Sequence, residues 1–171
     1  PGFSFIIARR DLLEESAGKA RSLSLDLYDQ WKTMEVDGKW RFTSPTHVVL
    51  AFAQAMKELE EEGGIPARSA RYRENNRLLI EKMAEMGFKT YIDGTHQGPI
   101  ITTFFYPEDC HFIFAQMYQY IKDRGYAFYP GKVTEAPTFR IGNIGEIYKE
   151  DIEKVCAIIK EFLEEYNHEE N

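Results

Sequence analysis

The sequence predicts an α+β fold in which helices cover one face of a small antiparallel or mixed sheet. Two observations predict it. From about residue 66 onward, helix-period and strand-period patterns follow one another as helix, strand, helix, strand, strand, helix. Each of these helices is apolar on one side, and packing against a sheet would bury those sides. The residues before 66 predict something different, namely one strand of a separate sheet and a connecting helix.

The first predicted element is a strand over residues 2–8, which is apolar on both of its faces. Such a strand is typical of a sheet that is covered on both sides, and its neighbouring strands are not in this sequence. Because the chain begins with Pro1 beside this predicted strand, we expect it to be the C-terminal part of a longer protein. A brief helical turn over 12–16 follows, preceded by Asp11.

Two further elements are predicted before residue 66. Residues 21–28 alternate polar and apolar side chains as a short extended segment does, although 26–34 also fit the start of a helix. A longer helix is predicted over 46–62, with Ser44 as the N-cap and Pro45 at the first helical position. Its apolar positions are Val49, Phe52, Ala53, Met56 and Leu59.

A second long helix is predicted from Pro66 to the stop signal at Gly87. Much of its polar side is basic, and the arginines are Arg68, Arg71, Arg73 and Arg77. Glutamates are interspersed with these arginines, so the pattern predicts a solvated face rather than an anion-binding surface.

The rest of the chain is divided by glycine, proline and aspartate. The predicted elements are a strand over 98–106, a helix over 109–124, strands over 126–129 and 138–141, and an amphipathic helix over 149–166. Asp109 is the predicted N-cap of the first of these helices, and Pro137 opens the strand over 138–141.

The composition excludes several classes of protein. The formal net charge is -7 and the basic residues are scattered among acids, which argues against nucleic-acid binding. No apolar run approaches the roughly 20 residues that cross a bilayer, and the sequence shows no secretion signal, so it predicts a soluble cytoplasmic protein. The spacing of Cys110 and Cys156 suits neither a disulfide framework nor a metal site, and we expect two buried thiols.

Two places in the sequence carry candidate chemistry. Arg140 lies in the predicted strand over 138–141, where a guanidinium would present a planar fork that suits a carboxylate, phosphate or phosphonate. A salt bridge to one of the chain's many carboxylates, or an outward-facing side chain, explains the same pattern. At the start of the helix over 46–62, the hydroxyls of Thr43, Ser44 and Thr46 can bind a phosphate or simply cap the helix.

Three stretches together resemble one family of enzymes. They are RSLSLDLYDQW at 21–31, RFTSPTH at 41–47 and FRIGNIG at 139–145. Over essentially its whole length, the sequence resembles the C-terminal half of the 2-aminoethylphosphonate:pyruvate aminotransferases. These are fold type I pyridoxal phosphate enzymes in the same branch as the alanine:glyoxylate and phosphoserine aminotransferases. The Thr-x-Pro element at 43–45 is shared across that branch, and the other two stretches indicate the phosphonate enzymes more narrowly.

The resemblance implies a parent protein with the α/β fold of pyridoxal-phosphate-dependent transferases. Residues 1–65 would be the end of its large cofactor-binding domain with a connecting helix, and 66–171 its C-terminal small α+β domain. It also implies a homodimer in which Thr43 hydrogen-bonds the phosphate of the partner subunit's pyridoxal 5'-phosphate. Arg140 would bind the phosphonate of 2-aminoethylphosphonate in one half-reaction and the carboxylate of pyruvate or alanine in the other. The products would be phosphonoacetaldehyde and alanine.

The resemblance further implies that the chemical centre lies in the missing N-terminal half of the same protein. The Schiff-base lysine is expected upstream of Pro1, so no catalytic residue is assigned to this chain, which is expected to be inactive in isolation. Two alternatives stay open: a related aminotransferase of the alanine/serine:glyoxylate branch, and a non-catalytic interaction module. The predicted strand over 2–8 disfavours the module, because its apolar faces and unpaired edges would meet water.

Overall fold

The computed structural model describes residues 2–108, 112–128 and 136–168 of the 171-residue chain. The chain divides into two compact units, unit 1 over residues 1–61 and unit 2 over residues 62–171. Whether these units correspond to parts of two domains of a larger protein stays a prediction.

Unit 1 is helical. It contains α1 (Arg10–Glu15), α2 (Leu27–Asp37) and α3 (Thr46–Glu61). The side chain of Asp26 accepts a hydrogen bond from the Asp29 backbone N–H at 3.1 Å and so caps α2, which ends at Gly38 in the left-handed conformation. Of the two alternatives for this stretch, the helical one is therefore confirmed.

The predicted strand over 2–8 is wrong. These residues have no regular secondary structure, and Phe5, Ile6 and Ile7 are 73%, 62% and 92% exposed. A strand forms only when its backbone pairs with another. In the parts of the chain that the structure describes, all strand pairing lies in unit 2, where it involves two strands and one bridging residue.

The helix bounds of unit 1 differ from the predicted ones by one or two residues. Helix α1 begins two residues earlier than predicted and is accompanied by an Arg10–Glu14 ion pair at 3.2 Å. Helix α3 begins at the predicted residue, but the carbonyl of Pro45 accepts the first helical bond from the Val49 N–H at 3.0 Å. Pro45 is therefore the N-cap, and the predicted cap at Ser44 is wrong by one residue.

Charged and aromatic side chains hold the middle of unit 1 together. The Arg41 guanidinium donates to the Leu23 carbonyl at 2.6 Å and pairs with Asp29 at 2.7 Å. The Arg10 guanidinium lies 5.3 Å from the ring centre of Trp31. The other tryptophan of the sequence, Trp40, is half-buried in the same unit.

Unit 2 has helices on one side of a short sheet, as the sequence predicts. Its elements are α4 (Gly64–Glu85), β1 (Ile101–Phe105), α5 (Phe114–Asp123), β2 (Thr138–Gly142) and α6 (Lys149–His168). Strands β1 and β2 pair antiparallel with Thr103 opposite Arg140, and Thr90 bridges to the other side of β1 through Phe104.

One hydrophobic core lies between the three helices and the sheet. Its central side chain, Phe139, is fully buried among other rings. These rings belong to Phe88, Phe104, Tyr106, Phe112, Phe114 and Phe128. The helices contribute mainly aliphatic residues, which include Leu79, Met83, Ile121 and Ile159.

Besides shifts of up to three residues in the bounds of α4 and β1, two predictions in unit 2 need correction. Helix α5 begins at Phe114 rather than at 109, and the predicted cap Asp109 lies outside the described residues. Residues 126–128 do not form the predicted strand, and Tyr129 lies outside the described residues. The reason is local, because the Tyr126 N–H bonds the Ile121 carbonyl at 3.2 Å and thus closes α5 instead of joining the sheet.

Candidate functional site

Arg140 lies in the middle of β2, on the face of the sheet that points away from the core. Its neighbours Phe139 and Ile141 are buried in the core, and side chains alternate along a strand. Hydrogen bonds join Tyr106 to Pro137 and Asn143 to Ile100 at either end of the ladder.

The ladder makes Thr103 and Arg140 an opposed pair. Hydrogen-bonded and non-hydrogen-bonded pairs alternate in an antiparallel ladder, so this pair is of the non-hydrogen-bonded kind, in which side chains lie closest.

Arg140 is the only charged residue of β1 and β2, and its side chain is half-buried. Thr103, opposite it, is 9% exposed. Next to Thr103, the ring of Phe105 lies 5.3 Å from that of Tyr91, whose N–H donates to the Thr103 carbonyl at 2.9 Å. A cation in such partly dehydrated surroundings attracts an anion more strongly than one in open water.

Helix α4 holds the segment that follows the Arg140 strand. The Arg71 Nη1 donates to the carbonyls of Gly145 and Ile147, each at 2.8 Å, and Asn75 donates to the Ile147 carbonyl at 2.7 Å. The Tyr72 hydroxyl accepts from the Gly145 N–H at 3.2 Å.

The same helix reaches the ends of both strands. The buried side chain of Asn76 donates to the Thr102 hydroxyl of β1 at 2.7 Å. Asn143, directly after β2, donates to the carbonyls of Tyr72 at 3.2 Å and Pro99 at 2.9 Å. We name the four α4 residues Arg71, Tyr72, Asn75 and Asn76 the α4 clamp.

Arg71 is also held from the side away from the sheet. Its Nε bonds the Glu62 carboxylate at 2.7 Å, and Arg68 bonds the other oxygen of Glu62 at the same distance. The hydrogen bond to Glu62 raises the pKa of Arg71, and the two arginines lower the pKa of the Glu62 carboxyl. The Arg71 guanidinium also lies 4.9 Å from the ring centre of Tyr148.

The prediction of a solvated basic face is therefore right for Arg77 and wrong for Arg71. Arg77 pairs with Glu74 and Glu81 on the exposed side of α4, whereas the Arg71 side chain is only 15% exposed. No local pattern distinguishes these two arginines, because the carbonyls that Arg71 binds lie 74 and 76 residues further along the chain.

The second predicted site residue, Thr43, lies in a bend three residues before α3. Its side chain is exposed, and its hydroxyl has no hydrogen-bond partner among the residues that the structure describes. Thr43 belongs to unit 1 and Arg140 to unit 2, so neither unit by itself contains both predicted site residues.

Other reactive groups are few in the described parts of the chain. Burial raises the pKa of the Cys156 thiol to about 11, which makes it a poor nucleophile near neutral pH. The other cysteine, Cys110, lies outside the described residues. Within residues 2–108, 112–128 and 136–168, no cluster of histidine, cysteine and carboxylate side chains is arranged to hold a metal ion. No described helix is long and apolar enough to cross a membrane.

Sequence comparison finds similar proteins over nearly the whole chain. The 2-aminoethylphosphonate–pyruvate transaminase of Bacillus cytotoxicus is 56% identical over 162 residues, which are 94% of this chain and 44% of that protein. The enzyme of the same name from Lysinibacillus sphaericus is 52% identical over 169 residues, or 99% of this chain and 46% of that protein. The chain thus spans a little under half the length of these curated relatives. No family model matches it.

Solved structures of aminotransferases have the same fold. The ureidoglycine–glyoxylate aminotransferase of Bacillus subtilis matches 92% of this chain and 41% of its own with a TM-score of 0.75 at 20% identity. The aspartate aminotransferase of Thermus thermophilus matches 85% of this chain and 40% of its own with a TM-score of 0.70 at 23% identity. The fold is that of part of an aminotransferase, and the resemblance predicted from the three sequence stretches is confirmed.

Proposed function

We propose that this chain is part of a pyridoxal-phosphate-dependent transaminase that moves the amino group of 2-aminoethylphosphonate to pyruvate, giving phosphonoacetaldehyde and alanine. The observation that carries the proposal is the identity of 56% and 52%, over nearly the whole chain, to enzymes named for that reaction. Because the chain spans less than half of those enzymes, the proposal concerns the full-length protein.

Arg140 is the proposed binding residue for the anionic end of each substrate. A phosphonate and a carboxylate both offer two oxygens to the planar fork of a guanidinium, so one arginine can serve both half-reactions. Its position supports this role, because Arg140 lies on β2, which pairs with β1, and is the one charged residue of these two strands.

Thr43 is the proposed contact to the cofactor. Its exposed hydroxyl, which bonds no other described residue, fits the role of a donor to the phosphate of pyridoxal 5'-phosphate held by the partner subunit of a homodimer. When bound, this cofactor supplies the aromatic ring that accepts electrons during amino-group transfer. In this proposal, the residues of this chain bind and orient the substrate, and none of them transfers a proton.

The test uses the full-length protein, purified with pyridoxal 5'-phosphate. Alanine formation from pyruvate is measured with 2-aminoethylphosphonate as donor, and compared with serine and alanine as donors to glyoxylate. The proposal expects the phosphonate donor to give the highest kcat/KM by at least about tenfold. A preference for serine or alanine would instead indicate the related branch, and no transamination with any donor would refute the proposal. The isolated 171-residue chain is expected to be inactive and is the matched blank.

A further inference from the structure

The sheet that carries Arg140 is small. It consists of two strands of five residues each, and such a pair is marginally stable on its own. Its core face is held by the ring cluster around Phe139. Hydrogen bonds at the ends of the two strands join the sheet to the neighbouring segments of unit 2.

At the end where β1 begins and β2 ends, several of those hydrogen bonds come from one helix, α4. The α4 clamp bonds β1 at Thr102 and bonds the segment after β2 at Gly145 and Ile147. The Nη1 of Arg71 makes two of these contacts. The Nε of the same guanidinium donates to the Glu62 carboxylate at 2.7 Å. These are charge-assisted bonds to a side chain that is only 15% exposed, which makes them stronger than most surface contacts.

We propose that Arg71 is a positioning residue for Arg140, acting through the backbone of the Gly145 to Ile147 segment and β2. The proposal rests on the proposed function, because it assigns Arg71 to the binding of the same two substrates. Arg71 itself touches neither substrate. It fixes the end of the strand from which the Arg140 fork projects.

A small shift of that strand is expected to be costly for the reaction. Misplacement of a binding group by about 1 Å can lower a rate by about 100-fold. A lysine at position 71 retains the charge but presents a single ammonium group, which cannot bond Glu62 and both carbonyls in the same planar geometry.

The chain offers a matched control for Arg71. Arg68 lies one turn earlier on α4 and bonds the same carboxylate, Glu62, at the same 2.7 Å. Arg71 and Asn75, by contrast, donate to the carbonyls of Gly145 and Ile147 in the segment after β2. Arg71→Lys and Arg68→Lys therefore differ mainly in the contact to the segment after β2.

Steady-state kinetics of the full-length enzyme test the proposal. Arg71→Lys is expected to raise KM about tenfold for both 2-aminoethylphosphonate and pyruvate, and Arg68→Lys less than about twofold. Tyr72→Phe, which removes one weak acceptor from Gly145, is expected to raise both KM values about threefold and serves if Arg71→Lys does not fold. Equal KM changes in the two lysine variants would overturn the proposal.

A double-mutant cycle separates positioning from a general structural role. In an Arg140→Lys background, the further change Arg71→Lys is expected to alter KM less than about twofold, because the fork on which Arg71 acts is gone. An undiminished tenfold effect in that background would show that Arg71 acts independently of Arg140 and would overturn the proposal.

Hydrogen exchange gives a readout that does not need activity. Backbone amides of β2 and of residues 143–147 are expected to exchange faster in Arg71→Lys than in wild type or in Arg68→Lys. Unchanged exchange would overturn the proposal. A wild-type enzyme that fails to transaminate would refute the proposed function, whereas the exchange rates would still decide whether Arg71 holds the strand.

Discussion

The two units of this chain differ in how their apolar residues are used. Unit 2 contains all fifteen buried hydrophobic residues of the described chain, gathered into one core between three helices and a sheet. No described residue of unit 1 is buried, although its helix α3 has a clear apolar side. A regular apolar pattern therefore predicts a helix in both units but predicts burial only where the sequence also supplies the surface that covers it.

The sharpest test of this contrast is the removal of one phenylalanine from each unit. Phe139→Ala takes away the ring at the centre of the core and is expected to lower the free energy of unfolding by about 3–5 kcal/mol. Phe5→Ala removes a side chain that is 73% exposed, and its effect is expected to stay within about 0.5 kcal/mol. Urea unfolding followed by far-ultraviolet circular dichroism measures the free energy of unfolding of both variants. Similar losses of stability in the two variants would contradict the difference in burial between the units.

The two proposed site residues extend the comparison to function. Arg140 lies on a strand fixed by the core and the α4 clamp, so its replacement should act on binding and not on folding. Arg140→Lys is expected to lower kcat/KM for both half-reactions. The corresponding loss of transition-state stabilisation is about 1.5–3 kcal/mol, the range for a hydrogen bond to a charged group. Arg77→Lys, on the exposed side of α4, is the control. Unchanged kinetics with both substrates would refute the role of Arg140.

Thr43 is expected to give a smaller effect. Loss of its one proposed hydrogen bond in Thr43→Ala should weaken the affinity of the full-length enzyme for pyridoxal 5'-phosphate by about 1 kcal/mol. Thr33→Ala removes another hydroxyl of unit 1, which donates to the Asp29 carbonyl at 2.8 Å, and should leave the affinity unchanged. Cofactor titration measures both dissociation constants, and equal values for Thr43→Ala and wild type would leave Thr43 without a cofactor role.

The smallest predicted effect concerns the ion pairs of unit 2 at low pH. Arg71 and Arg68 hold the pKa of Glu62 below its ordinary value of 4.5. A carboxyl whose pKa is lowered by folding stabilises the fold above its unfolded pKa and loses this contribution as the pH falls through the folded value. Glu62→Gln should therefore be less stable than wild type at about pH 7, and the difference should shrink below about pH 4.5.

Urea midpoints across this pH range measure the difference. Glu74→Gln is the exposed control, since Arg77 lowers the pKa of Glu74 at a site where both side chains are 55% exposed. Its effect should be smaller and should weaken further with added salt. A constant difference between Glu62→Gln and wild type at all pH values would show that the carboxylate charge does not matter.

The elements of unit 2 were the most predictable part of the structure. The long helix α4, strands β1 and β2, and helix α6 follow from local periodicity and from the glycines and prolines that bound them. Residues 126–128 do not form the predicted strand because the Tyr126 N–H bonds the Ile121 carbonyl and closes α5 instead of pairing with a strand.

The candidate site was predictable only in part. Arg140 is visible in the sequence because a charged residue interrupts an apolar strand. Arg71 is not, since its partners lie more than seventy residues away and the neighbouring Arg68, Arg73 and Arg77 look alike in the sequence. Hydrogen bonds from a side chain to distant backbone carbonyls produce no periodic pattern in the sequence.

The placement of the two tryptophans has a practical consequence. Both Trp31 and Trp40 lie in unit 1, and no tryptophan occurs in unit 2. Intrinsic fluorescence excited at wavelengths that only indole absorbs therefore reports on unit 1 alone, while tyrosine emission comes mainly from unit 2. One sample can thus follow the melting of each unit by its own optical signal, without any label.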